Sequence, residues 1–314
     1  MMDDLTSWLQ SLREPPFKIL THGEDLDGVF SGSLAIAAFN GEVELEFMAP
    51  DESKNSMRTF DVTMDLPPPA GRTALFIDHH ASNSNLLDRA DISIFDPSAP
   101  SSAYLVKISL LKDYSPSDRL EKSVDFVSRV DRGEMDENVA KFSVVIRRIF
   151  RTRRKLLRDM AKELLEKLPS SGDDLLSLRI FENEWRAVER EVGELLNWAN
   201  ILEELRLEKT ALIMDLRGYP GYIIPYLLYK ARNSSDLVIT MTEGKNSNIR
   251  ASVRSSDGSL ISALELASRF GGGGHERASG MLIRESDIEN IARLLGERGI
   301  SIKVISPAFQ QESF

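Results

Sequence analysis

Short strand-like runs that alternate with helix-length stretches, and that repeatedly end in acid or histidine, constrain this chain more than any other feature. Phe17 to Leu20, Val43 to Met48, Phe60 to Met64, Ala74 to Ile77 and Ile92 to Phe95 each read as a strand. Helical patterns over Val29 to Phe39, Ala103 to Leu111 and Ser117 to Val130 are interspersed with them. This alternation predicts an α/β domain built on a parallel, doubly wound sheet. Ligands of such sheets bind at the carboxyl ends of the strands. The polar clusters fall there: Thr21 to Gly28 after the first run, Asp65 after the third, and Asp78-His79-His80 after the fourth.

The chain has four histidines, His22, His79, His80 and His275, and each lies in a polar cluster that follows an apolar segment. Adjacent histidines after an aspartate are costly to bury unpartnered, so a cation or an anionic substrate is the reason to expect for them. Asp25 and Asp27, two apart in an extended turn, can serve neighbouring positions around one centre, with Gly28 allowing the tight turn. An acidic turn before a helix also reads as an N-cap, but His22 and a second carboxylate exceed what a cap requires. Oxygen ligands with imidazole suit Mn²⁺, Mg²⁺ or a similar divalent ion better than a structural zinc. Asp131, at the end of an apolar stretch, is a further candidate ligand. Ser101 or Ser102 reads as the N-cap of the helix that follows.

Composition bounds the setting. With 314 residues and 42% hydrophobic content the chain can build about two domains with proper cores. It has no cysteine, which removes disulfides, iron–sulfur clusters and thiolate zinc sites from consideration. The start, Met1-Met2-Asp3-Asp4-Leu5, carries acid where a signal peptide carries base, and no apolar run approaches the ~20 residues of a membrane span. A cytoplasmic protein with no membrane partner is expected. A formal charge of −10 argues against wrapping long duplexes by bulk electrostatics.

At the amino terminus Leu5, Trp8, Leu9 and Leu12 fall on one helical face, which reads as packing. From Asp136 to Leu207 the sequence is helical and charged, with Arg147, Arg148, Arg151, Arg153, Arg154, Lys155 and Arg158 crowded together. A solvated helix face is the first reading of such a run, and a path for a polyanion the second. Trp185 and Trp198 read as core. A smaller α/β domain begins near Glu208, and in Asn248 to Ser255 an apolar face alternates with a basic one, so that Arg250 and Arg254 share a side and are candidates for phosphate recognition. Gly271, Gly272, Gly273 and Gly274, closed by His275, read as a loop whose bare backbone admits an anion or a base. The expected organisation is a metal-binding domain over 1–190, a helical linker over 191–207 and a substrate-binding domain over 208–314.

The ordered set His22, Asp25-Leu26-Asp27-Gly28, Asp65, Asp78-His79-His80 and Asp131 resembles the four motifs of the DHH phosphoesterase superfamily. Gly271 to Gly280 resembles the glycine-rich signature of the substrate domain carried by its nuclease branch, which includes RecJ-type exonucleases, nanoRNases and 3′-phosphoadenosine 5′-phosphate phosphatases. The resemblance implies two divalent metal ions, Mn²⁺ first and Mg²⁺ or Co²⁺ as alternatives. One would be held by His22, Asp25 and Asp65, the other by Asp27, Asp65, His79 and Asp131. It implies that His80 faces the substrate phosphate, that Asp78 orients its neighbours, and that Gly271 to His275 bind the terminal part of the substrate. The spacing of His22 and Asp25 departs from the usual pattern, which leaves Glu24 as a rival for the first site. The function so implied is hydrolysis of short single-stranded RNA or DNA to nucleoside 5′-monophosphates by metal-activated water. Alternatives are phosphatase action on 3′-phosphoadenosine 5′-phosphate or on cyclic or linear dinucleotides, pyrophosphatase or exopolyphosphatase action, and a non-catalytic nucleotide sensor or accessory subunit. A homodimer is compatible with all of these.

Overall fold

The computed structural model describes Leu5, Trp8 and residues 14–111, 117–244 and 247–307. They belong to two compact units, Met1–Arg186 and Ala187–Phe314. Of the expected amino-terminal helix, Leu5 is buried and Trp8 half-buried against the core, while Leu9 and Leu12 lie outside the described residues.

In the first unit β1 (Phe17–His22), β2 (Val43–Met48), β3 (Phe60–Met64), β4 (Thr73–Asp78) and β5 (Ala90–Phe95) form one sheet in the order β2-β1-β3-β4-β5. All neighbours are parallel. Every residue of β3 and β4 is buried, as expected of central parallel strands covered on both faces. The helices are α1 (Leu26–Ala38), α2 (Pro50–Lys54), α3 (Ser102–Leu110), α4 (Asp118–Asp131), α5 (Glu137–Arg153), α6 (Leu156–Lys167) and α7 (Gly172–Leu176). From β1 the chain moves to β2 on one side and then to β3 on the other, so the strand order reverses at β1/β3. A crevice opens at such a switch point.

Helix α1 starts at Leu26, three residues before the sequence reading. The reason is local: Asp25 is extended (φ −144°, ψ 175°) and its side chain accepts from the Gly28 N–H, a working N-cap. Asp27 and Gly28 therefore sit in the first turn of a helix and not in an extended turn. A further difference concerns the arginine run, most of which is consumed in packing. Buried Arg148 pairs with buried Glu184, and Arg153 pairs with the same carboxylate. Arg154 makes two bonds to Glu52 at 2.9 and 3.1 Å, and Arg158 donates to the Val43 carbonyl at 2.8 Å. Trp185 is half-buried and stacks on Phe181 with centroids 5.9 Å apart, whereas Trp198 is buried.

Helix α8 (Arg179–Glu204) contains the boundary between the units and is broken at Val192 (φ −136°, ψ 29°). The second unit holds β6 (Leu207–Asp215), α9 (Ile224–Ala231), β7 (Ser235–Glu243), β8 (Ile249–Ser255), α10 (Ala263–Arg269), β9 (Gly273–His275), β10 (Ala278–Ile283), α11 (Asp287–Glu297) and β11 (Ser301–Ile305). Its sheet runs β11-β6-β7-β8-β10-β9, parallel over the first three strands and antiparallel over the rest. Ile249, Ala251 and Val253 face a core with Ile261, Leu266 and Met281, while Arg250 and Arg254 between them are exposed.

The glycine run is only partly a loop, because Gly273 to His275 add to the edge of β10, His275 opposite Ala278 and Gly273 opposite Gly280. Two of its glycines are required by backbone proximity. A Cβ on Gly272 would stand 2.3 Å from the Gly280 carbonyl oxygen, and Gly274, at φ +138°, would set one 2.6 Å from that of Ala278. Among the described residues, no helix is long and apolar enough to cross a membrane.

Candidate metal centre

Three parallel strands deliver polar side chains to one edge of the first sheet. His22 ends β1, Asp65 follows β3, and Asp78 ends β4 with His79 and His80 immediately after it. Asp27 comes from the first turn of α1, and Asp131 is the last residue of α4. Among the described residues His22, Asp25 and Asp65 bring ligand atoms within 4.8 Å of one another, as do Asp27, His79 and Asp131, and as do Asp65, His79 and His80. The carboxylate common to the first and third groups is Asp65, and the imidazole common to the second and third is His79.

The His22 ring places Nδ1 2.7 Å from Asp25 Oδ2 and 3.5 Å from Asp65 Oδ2. Asp25 thus both caps α1 and faces His22, so the structural and the site readings of that residue hold together. It, and not Glu24, completes the cluster with His22 and Asp65. His79 Nε2 lies 3.4 Å from Asp131 Oδ2, 3.9 Å from Asp27 Oδ2 and 4.0 Å from Asp65 Oδ1. Its Nδ1 donates to the Ala99 carbonyl at 3.2 Å, which leaves the Nε2 lone pair turned toward the carboxylates. Asp65 has φ +56°, a left-handed conformation rare for a residue with a side chain and the kind of local strain that clusters at sites.

Several partners escaped the sequence reading. Both oxygens of Asp27 accept backbone N–H groups at the start of α3, from Ser102 at 2.8 Å and Ala103 at 2.9 Å. The Ser102 hydroxyl donates to Asp65 Oδ1 at 3.0 Å. Ser101, the actual N-cap of α3, also bonds Ser128 at 2.8 Å, which ties this helix start to the helix that ends in Asp131. Buried Asp78 accepts from His80 Nδ1 at 2.8 Å and from Asn83 Nδ2 at 2.7 Å, so it holds one ring by one oxygen and is itself held by the other. The sequence offered Ser102 only as a rival to Ser101 for the N-cap of α3. Asn83 gave no signal.

Electrostatically the cluster is unfinished. Burial, with the neighbouring Asp65 and Asp131 charges, raises Asp27 well above the ordinary carboxylate range. Burial, with Asp65 and Asp25, pushes Asp131 up to about 8. Burial and then His80 lower His79, favouring the neutral ring that a cation needs. Burial works against charging His22 and His80, but Asp25 together with Asp65 outweighs it at the first, raised well above 6.5, and Asp78 together with Asp65 and Asp131 at the second, raised to about 9. Burial also opposes ionisation of Asp25, yet His22 outweighs it and lowers that group. Three buried atoms in this cluster, His22 Nε2, Asp65 Oδ2 and His79 Nε2, have no hydrogen-bond partner. Converging carboxylates that resist ionisation and unsatisfied imidazole nitrogens fit a divalent cation, whose charge removes both penalties.

The remaining sequence candidates, Arg250, Arg254, Gly271 to Gly274 and His275, belong to the second unit. There Arg254, Ala278 and His275 stand in register across β8, β10 and β9. Gly273 and Gly280, paired and exposed, form a bare stretch beside them.

Neither a protein-family model nor a curated protein sequence matches this chain. Solved structures do. The pGpG-specific phosphodiesterase PggH of Vibrio cholerae matches over 90% of this chain and 99% of its own, at 18% identity and a TM-score of 0.58. RecJ of Thermus thermophilus in complex with Mn²⁺ matches over 98% of this chain, at 14% identity and a TM-score of 0.60, and the same protein with Mg²⁺ at 0.51. This chain spans 59% of the RecJ chain in the Mn²⁺ complex and nearly all of PggH.

Proposed function

We propose, for a chain that has the fold of the DHH phosphoesterases, a metal-dependent phosphodiesterase that hydrolyses short single-stranded oligonucleotides to nucleoside 5′-monophosphates. The observation that carries this reading is the pair of adjoining donor sets, His22/Asp25/Asp65 and Asp27/His79/Asp131, with Asp65 4.0 Å from His79 between them. His22, Asp25 and Asp65 would hold one divalent ion, and Asp27, Asp65, His79 and Asp131 a second, Mn²⁺ being the first choice. Two such ions supply a nucleophilic water at neutral pH and neutralise charge on the phosphoryl oxygens.

The chain's own residues do the rest. The α3 N–H groups fix Asp27, and Ser102 fixes Asp65, so the carboxylates are oriented before substrate arrives. Through Asp78, the His80 Nδ1 proton is committed to a carboxylate, which leaves Nε2 of a half-exposed ring free to meet a phosphate oxygen. With a proton on Nε2 the ring would donate to that oxygen. Arg250, Arg254, the Gly271 to Gly274 run and His275 bind the remainder of the substrate.

A second reading, a phosphodiesterase confined to linear dinucleotides, is favoured by the nearly full-length match to PggH. Product analysis decides: with Mn²⁺, RNA of two to five residues, its DNA equivalent, 3′-phosphoadenosine 5′-phosphate and pyrophosphate are offered side by side. Stepwise mononucleotide release from the longer oligomers supports the first reading, and cleavage of the dinucleotide alone supports the second. Cleavage of the bisphosphate alone, or of nothing, refutes both.

A further inference from the structure

Of the six arginines from Arg147 to Arg158, four have partners among residues far away in the chain, and Arg151 is exposed. Arg148 and Arg153 pair with Glu184, Arg154 with Glu52, and Arg158 donates to the Val43 carbonyl. Arg147 has no such use. It is half-buried, and its Nε, like that of Arg158, is buried with no hydrogen-bond partner, but Arg147 lacks the bond that Arg158 makes to a carbonyl. A guanidinium cannot shed its proton, and a buried donor left unmade is costly, so a cation placed there asks for an anion that arrives from outside.

The position of Arg147 says which anion. Phe150, one helical turn later, packs on the turn that follows His22: a Cβ on Gly23 would stand 2.4 Å from the Phe150 ring. Arg154 reaches the Phe47 carbonyl near the carboxyl end of β2, and Arg158 reaches Val43 at its start. The α5/α6 segment therefore runs from the carboxyl edge of the sheet toward its amino edge. Side chains on a helix lean toward its amino terminus. For Arg147 that direction is the edge on which His22, Asp65 and His79 converge, beside the His22–Asp25 turn.

Resting on the phosphodiesterase reading above, we infer that Arg147 is a phosphate-binding residue for a second phosphate of the substrate, next to the one that is hydrolysed. The planar guanidinium presents paired N–H donors that match two oxygens of a phosphate, which a lysine does not reproduce. Arg147 would thus favour substrates with at least two phosphates over single phosphate esters.

The test compares a 5′-phosphorylated dinucleotide, which carries two phosphates, with the p-nitrophenyl ester of a nucleoside 5′-monophosphate, which carries one. Wild type, Arg147→Ala and Arg147→Lys are assayed with Mn²⁺, with thermal unfolding to verify folding. Loss of one charge-assisted bond pair predicts a KM for the dinucleotide raised about tenfold to a hundredfold in both variants, kcat nearly unchanged, and no change with the ester. Equal losses on both substrates, or none on either, overturn the inference. Equilibrium dialysis of the dinucleotide with metals withheld keeps the two readings apart. If wild type hydrolyses nothing yet retains the dinucleotide and Arg147→Ala does not, the phosphodiesterase reading fails and the Arg147 contact stands. Equal retention by wild type and Arg147→Ala refutes the contact.

Discussion

Replacing Gly28 with alanine should disable the metal centre from a position that bears no ligand. An ideal Cβ at Gly28 would lie 2.4 Å from both the Cβ and the carbonyl oxygen of His22, and 2.8 Å from its carbonyl carbon. Two of those atoms are backbone, so rotating a side chain gives no relief, and restoring ordinary contact at 3.4 Å or more needs a shift of about 1 Å. Overpacking of this kind costs up to ~3 kcal/mol, and the better helix propensity of alanine returns about 1 kcal/mol. The net loss is about 2 kcal/mol, or roughly 4–8 °C in Tm for a unit of this size. Since β1 is anchored on both sides, the turn and His22 give way, and a misplacement of ~1 Å at a reacting centre costs about 100-fold in rate. The assays are thermal unfolding, Mn²⁺ titration by calorimetry and dinucleotide turnover. Gly296→Ala, in α11 with nothing within 4 Å of the added Cβ, is the control and should gain ~0.5–1 kcal/mol. Unchanged stability and Mn²⁺ affinity in Gly28→Ala would refute the packing argument.

The metal-free protein should lose stability as pH rises from about 4 to 9. Asp131 is raised to about 8 and Asp27 is raised, so folding favours their protonated forms and every step above pH 4 works against it, by at most ~1.4 kcal/mol per pH unit for each group. The raised His22 and His80 contribute stability that is complete below 6.5 and lost as pH climbs through their folded values, about 9 for His80. The lowered His79 opposes this near 6.5 without reversing the sum. Chemical denaturation at pH 5 and 8 measures the slope, a stability that is flat or rises with pH refutes it, and saturating Mn²⁺ should flatten it. Asp27→Ala and His79→Ala should abolish turnover with the fold retained; a metal-loaded variant with wild-type rate would falsify the proposed centre. Asn83→Ala leaves an oxygen of buried Asp78 unpaired and should slow turnover ~10–100-fold through His80 with little change in metal stoichiometry. A loss of both ions in that variant would instead make Asn83 a support of the metals themselves.

The central strand β4 was legible because burial on both faces of a parallel sheet favours a continuous apolar run such as Ala74 to Ile77, whereas β3, equally buried, keeps Asp61 and Thr63 and was marked by Phe60, Val62 and Met64. The convergence at the sheet's carboxyl edge followed from the same topology, since strands laid parallel must end on one side. Sequence spacing did not decide between Glu24 and Asp25, because that depends on where α1 begins, and the Asp25 cap on Gly28 sets it. Nor did the arginine run reveal its members' separate fates. Helix periodicity assigns faces, but only tertiary packing brings Glu184 to Arg148, Glu52 to Arg154 and the Val43 carbonyl to Arg158. The glycine run announced close approach without saying to what; the free edge of β10 answers, as it pairs with Gly273 to His275. By itself the sequence determined the strands, their polar ends and the kinds of ligand atoms they carry, because these follow from local pattern and chemistry. Which oxygen faces which nitrogen, which cation is left unpaired, and what holds Asp27, Asp65 and Asp78 in place were decided by contacts between residues far apart in the chain, such as Ser102 with Asp65 and the α3 amides with Asp27.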